Sequence, residues 1–432
     1  MFSLHDTTRT QICRALFVAL CLLPTTGVAV WCWVVHWPSY ARWHARAAGE
    51  RLGWRVALDR VTSPRPGVWA YEGLSISDPD TGHLLVAAPF VEIDQRSDKV
   101  SIRLPYPATV NGRRLETLLR AAQRQLRAPG DWQSLALEAP NVTVRMQQGG
   151  DHTLAEVSGH IEHAADASRL GLQFKLATAN AKRPADLAPA ELTCVCPRNT
   201  IDQTVLQFTT GGPLPCRLVA ACWPAASRLG AAATFTGRAS ATEAEGRWRL
   251  ELAGNLDAVD LERLMAPFPH RLTGTAAVQI AQAVVQEGRV ETVKGQLRAG
   301  PGVVSRSLIQ SALAHLRLEA PKEVLIGENR LPYRQLGLTF EVGPAGLVLQ
   351  GAVAQSPGAV LVNDTQVLVR QSATARLPVV NLVRTLVPQS TVQVPATRET
   401  HELAQLLPIP PTTPPPGSEG PLPRARTINV PK

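Results

Sequence analysis

RWRLEL, residues 247–252, alternates large apolar side chains with charged ones: Trp248, Leu250 and Leu252 point one way, Arg247, Arg249 and Glu251 the other. A side-chain period of two belongs to a β-strand with one buried face and one wet face. Downstream, residues 276–280, 290–297, 338–342, 347–349 and 367–369 continue the series. Upstream, residues 84–93, 100–104, 134–138, 142–146 and 172–176 read as further strands. Glycine (31) and proline (35) fall in nearly every gap, as a chain of short strands and turns requires. The expected fold is mainly β with a few short helices: an elongated antiparallel sheet, either an open groove or a closed sandwich. Trp248, Leu250, Leu252, Val278, Ile280, Leu338 and Phe340 are its expected apolar face, and they suit a groove lining and a core equally.

Four helices interrupt this pattern. Residues 41–56 read as a helix ending near Gly53, and residues 114–127 place Leu115, Leu118, Leu119, Ala122 and Leu126 at helical spacing. Residues 256–266, stopped by Pro267, and residues 305–316, capped by Ser305 or Ser307, are the other two. VDLERLMAP at 259–267 is echoed by VNLVRTLVP at 380–388, which points to a recurring strand-then-helix unit.

The start of the chain has another character. ALFVALCLLPTTGVAVWCWVV, residues 15–35, follows Arg9 and Arg14 and contains no charged side chain. About 20 such residues suffice to cross a hydrocarbon core of about 30 Å. Trp31, Trp33, Trp37, Tyr40 and Trp43 gather at the far end, where amphipathic rings favour the headgroup layer. Residues 15–23, Pro24 and Gly27 to Ala29 also spell a cleavable signal peptide. Apolar WCWVVHW continues past that cut and favours an uncleaved anchor. The expected plan is a cytoplasmic start (1–14), a membrane anchor (15–36), two parts of one extracytoplasmic β-rich region (37–245 and 246–405) and a tail (406–432). The tail holds nine prolines between 408 and 432 and reads as a solvated, polyproline-like extension.

The net charge of +9 is spread thinly, without the basic block that tracks nucleic acid, so no nucleic-acid partner is expected. Cys13, Cys21 and Cys32 lie in or beside the apolar run. Cys194, Cys196, Cys216 and Cys222 cluster in the exported part and are read as two disulfides with three connectivities open. A zinc site and unpaired thiols are the alternatives, although C-x-C followed by C-x5-C is not the usual zinc spacing. Cys194 and Cys196 would share one strand face, which argues against a bond between them.

The order of these features is similar to the AsmA family of bacterial envelope proteins. After the anchor, RVAL at 55–58 leads to PGVWAYEGLSI at 66–76 and to the apolar residues 84–93. Far downstream come GNLDAVDLERL at 254–264, LTGTAAV at 272–278, GRV at 288–290 and GVVSRSL at 302–308. The resemblance covers residues 10–400, in patterns of strand and turn. It implies a single inner-membrane helix holding a periplasmic, repeating β-groove whose lining carries lipid acyl chains, and a role in envelope lipid transport or outer-membrane assembly. The cysteine cluster and proline tail are not part of that pattern. Arg42, Arg46, Arg51 and Arg55 follow the anchor, so the positive-inside count alone places the N-terminus outside. The signal-like start and the resemblance place it inside.

No catalytic signature is present. The histidines make no H-E-x-x-H, Gly73 to Ser77 lacks the closing glycine of G-x-S-x-G, and no phosphate-cradling glycine loop occurs. His152, His160 and His163 read as surface residues, and DPDTG at 78–82 as a turn. The expectation is a non-enzymatic protein without metal or cofactor, whose partners are membrane lipids and envelope proteins. A structural or interaction component of an envelope or secretion complex is the alternative function, and an exported enzyme a third.

Overall fold

The structure is a computed structural model describing residues 6–35, 37–127, 132–146, 150–176, 188–198, 203–220, 223–326, 328–354, 356–372, 375–387 and 406–408. It opens with helical segments end to end: α1 (Asp6–Phe17), a π turn (Val18–Leu22) and α2 (Leu23–Val35). The stretch Thr10–Val34 is long and apolar enough to cross a membrane, and none of it is buried in the protein. Pro24 explains the π turn, because its ring crowds the preceding turn and it brings no N–H. The hydroxyls of Thr25 and Thr26 bond back to the carbonyls of Cys21 (2.6 Å) and Leu22 (2.8 Å). Helix α3 (Pro38–Leu52) then begins with Pro38 and stops at Gly53, whose φ of 69° is the left-handed cap that glycine accepts without strain.

The rest is one continuous sheet built almost entirely of antiparallel neighbours. β1 (Arg55–Ala57) and β2 (Arg60–Arg65) share an edge against β3 (Val68–Ser77), and β4 (Leu84–Arg96) follows. β5 (Lys99–Arg103) and β6 (Ala108–Asn111) both bridge β4 to β7 (Ser134–Arg145), running parallel to β7. Helix α4 (Leu115–Arg127) fills the connection from β6 to β7. The chain then shuttles through β8 (His152–His163), β9 (Ala167–Leu176), β10 (Ala188–Pro197), β11 (Thr204–Pro215), β12 (Thr234–Ala244), β13 (Arg247–Asp260), β14 (Thr275–Gln286) and β15 (Arg289–Ala299). Each pairs with the next. Helices α5 (Cys216–Val219) and α6 (Leu261–Met265) occupy two of the connections.

Beyond β15, β16 (Gly302–Ser305) leaves the sheet to pair with β18 (Arg330–Tyr333), with α7 (Arg306–Leu316), β17 (Leu318–Glu319) and α8 (Lys322–Ile326) between them. β19 (Gln335–Gly343) returns to β15, β20 (Gly346–Gly351) and β21 (Ala359–Val362) border β19, and β22 (Val367–Gln371) and β17 finish the sheet. Helix α9 (Val380–Leu386) packs on α7. Twenty strands belong to the main sheet, so an open sheet of this size must twist and curl rather than lie flat. The expected division at 245/246 falls in the tight turn between β12 and β13, and the sheet runs straight through it.

The expected β-rich class is what the structure shows. One expected helix is corrected. Residues 256–260 are strand, with Leu256 paired to Phe235 and Val278, and only Leu261–Met265 is helical. The bulge between Leu256 and Val259, with Ala258 at φ 55°, shifts the apolar side chains out of strict alternation and imitates helical spacing. Asp260 starts the true helix by accepting hydrogen bonds from the backbone N–H groups of Glu262 and Arg263. Helix α7 starts as expected, with the Ser305 hydroxyl accepting from Leu308 N–H. The echo is only partly a repeat of structure: residues 259–265 pass from the end of β13 into α6, whereas Val380–Leu386 is helical from its first residue, as α9. The proline-rich tail lies outside the described residues beyond position 408.

Candidate functional site: an apolar row across the sheet

Strand register aligns one apolar residue from strand to strand without a break. The row runs Trp69, Ile93, Ile102, Leu137, Gly159, Leu172, Leu192, Phe208, Ala239, Leu252, Ala283, Val293, Val342 and Leu347. At about 4.8 Å per strand it follows a path of about 60 Å, roughly twice the hydrocarbon thickness of a bilayer. The next residue on each strand defines a polar row on the opposite face: Glu92, Arg103, Glu138, Ser158, Gln173, Glu191, Thr209 and Arg238. From β4 to β12 one face of the sheet is therefore apolar and the other polar.

Most of the large side chains in the row are only half-buried, including Ile93, Ile102, Leu137, Leu172, Leu192, Phe208 and Leu252. Parts of the face have their own cover. Leu126 of α4 sits on Ile161, Leu170, Cys194 and Cys196, and Leu115 packs with the cluster of Val144, Leu176 and Leu214. In the last third, α6, α7 and α8 close a larger core around Val259, Leu261, Ile309, Val324 and Leu361.

All seven residues expected on the apolar face lie on this same side of the sheet. Their surroundings differ. Val278 and Leu338 pack against the closed core, Phe340 against the cluster of Val342 and Leu347, and Leu252 against that of Phe235. Leu250 and Ile280 are half-buried, and Trp248 is 38% exposed. Sequence reasoning missed the row's middle, because β10, β11 and β12 use Cys, Thr, Ala and Gly where a strand signal would carry Val or Ile. Their alternation was present, but in small residues.

The row begins beside α3. Trp69 and Tyr71 receive the imidazole of His44 from α3, with ring centroids 5.0 and 5.9 Å away. Tyr40 and Trp43 flank the same imidazole at 4.7 and 4.9 Å. Burial without a partner for Nε2 pushes the His44 pKa down. The other expected interface rings continue back along the helix: Trp33 meets Trp37 edge to face at 4.3 Å, and Trp31, Trp33, Trp37 and Trp43 are exposed. These five residues, an aromatic collar in sequence, flank the junction of α2 and α3.

The cysteine expectation is corrected where the structure describes it. Cys194, Cys196 and Cys216 are buried free thiols, not halves of disulfides, because Cys194 and Cys196 stand side by side on β10 while Cys216 lies in a different cluster with Ala233 and Phe235. Cys222 lies outside the described residues. His152 and His163 are half-buried rather than on the surface, each with Nε2 enclosed and unpartnered, and burial lowers both pKa values. Asp78 makes the expected turn, accepting from Asp80 N–H and the Thr81 hydroxyl. Among the described residues no group of three or more His, Cys, Asp or Glu side chains could hold a metal ion. No protein-family model, curated protein or solved structure matches this chain.

Proposed function

We propose that this is a membrane-anchored envelope protein that carries lipid acyl chains along the apolar row, with α2 in the inner membrane and the sheet in the periplasm. The carrying observation is the row's continuity: fourteen strands in register without a charged member, starting beside the helix that follows the anchor. Each methylene withdrawn from water onto such a surface contributes about 0.8 kcal/mol. Over its half-buried part, from Ile93 to Leu252, the row gives a chain an apolar surface once it has left the bilayer. The aromatic collar holds the start of the row at headgroup depth. The AsmA-like order of the sequence motifs supports the same reading.

The test is solvent extraction and mass spectrometry of the full chain purified in a mild detergent, followed by transfer of labelled phospholipid between vesicles. Co-purified phospholipid and transfer that is lost in Leu192→Asp and Leu252→Asp would support the proposal. An empty protein that transfers nothing would end it.

A further inference from the structure

We infer that Cys194 and Cys196 form a two-coordinate site for a soft monovalent metal cation, with Cu(I) as the first candidate. The pair is independent of what occupies the rest of the row. Both residues face the same side of β10, two positions apart, and both are reduced and buried, at 2% and 5% exposure. Their walls are Leu126, Ile161 and Leu170, which contribute no competing ligand. At their margin the Arg127 guanidinium is held by Thr204 and Glu243, both at 2.9 Å. The Thr204 hydroxyl lies 3.7 Å from the Cys196 sulfur.

Arg127 and Thr204 place a positive charge and a hydroxyl at the edge of the pair, whereas Cys216 lies in a separate cluster with Ala233 and Phe235. A disulfide is a poor use of the pair. Positions i and i+2 of a strand stand about 6.6 Å apart at Cα, the top of the disulfide range, whereas an interposed metal relaxes that demand. Zinc asks for four ligands, and no third acidic, His or Cys ligand joins the group among the described residues. A d10 monovalent ion accepts two thiolates in a line, and soft thiolate sites select Cu(I). The step is balanced without a redox partner: two S–H bonds break, two S–Cu bonds form, two protons leave to solvent and copper stays Cu(I). The resulting complex carries one negative charge, beside Arg127.

The test uses the full chain in detergent micelles under anaerobic conditions, with Cu(I) supplied from an excess of a coloured Cu(I) chelator. The unsubstituted chain is expected to withdraw one equivalent, and X-ray absorption to show two sulfur neighbours. Cys194→Ser and Cys196→Ser should each weaken retention by more than about a hundredfold, above the scale of losing a merely supporting group, while Cys216→Ser retains it. Circular dichroism checks that the serine variants fold. Independently of any variant, copper should slow maleimide labelling of Cys194 and Cys196 in the unsubstituted chain, read peptide by peptide, and leave Cys216 unchanged. No retained equivalent, retention by both serine variants, or labelling of the pair unaffected by copper would each overturn the site.

Discussion

The sheet from β3 to β11 and the sheet from β12 to β22 are built from the same alternation but buried differently. The first carries small clusters: six buried residues around Ala88 and Val91, five around Val144 and Leu214. The second contains a core of twelve, from Val259 to Val369, roofed by α6, α7 and α8. The polar face is similar in both. What differs is how many helices fold over the face: the first part has α4, from the connection between β6 and β7, whereas the second has α6 between β13 and β14 and both α7 and α8 between β15 and β19. A strand pattern therefore makes the face, and the connections decide whether it is sealed or left as a surface for something else.

This contrast can be broken most severely in the closed part. Leu261→Ala and Leu347→Ala, at residues 2% and 1% exposed, should each cost about 2–5 kcal/mol in chemical unfolding of the full chain. In the first part Leu172→Ala and Leu192→Ala should cost less, about 1–2 kcal/mol, because each side chain is only partly buried. Equal losses in the two regions would show that the first half is as sealed as the second.

The roof itself can be loosened. Ser305→Ala removes the cap of α7 and should cost about 1 kcal/mol, with hydrogen exchange rising in α7 and α9 and not in β7 to β9. A smaller effect follows from pH. His44, His152, His163 and His270 all have folded pKa values lowered by burial. Below the ordinary value of 6.5 the unfolded chain takes up protons that the folded chain resists, so stability falls as pH drops through and below that value. Thermal unfolding at pH 7.5 and 5.5 should show the drop, and His44→Gln should reduce it while leaving the closed core's exchange unchanged. At the bottom of the scale, Arg334→Ala breaks an ion pair with Asp364 whose side chains are 64% and 79% exposed, and the melting temperature should not move measurably.

Much of this was legible in residues alone. The charge-free stretch at 15–35, the collar of Trp31 to Trp43, the alternation at 247–252, α4 and the Ser305 cap all follow from local chemistry, and the structure contains them. Residues 256–260 show where that reading fails, since a bulge disguises a strand as a helix. The cysteines show it again: C-x-C fixed the shared strand face of Cys194 and Cys196, but not whether any sulfur would meet a partner from another strand.

From the sequence by itself came an apolar N-terminal helix, a β-rich remainder and the side of each strand that avoids water, because these depend on neighbours one to four residues apart. The tertiary structure alone decided that fourteen strands keep those sides in one row, that the row begins against His44, and that α6, α7 and α8 seal only its far part. Register and cover depend on contacts between residues tens to hundreds of positions apart, and no local period encodes them.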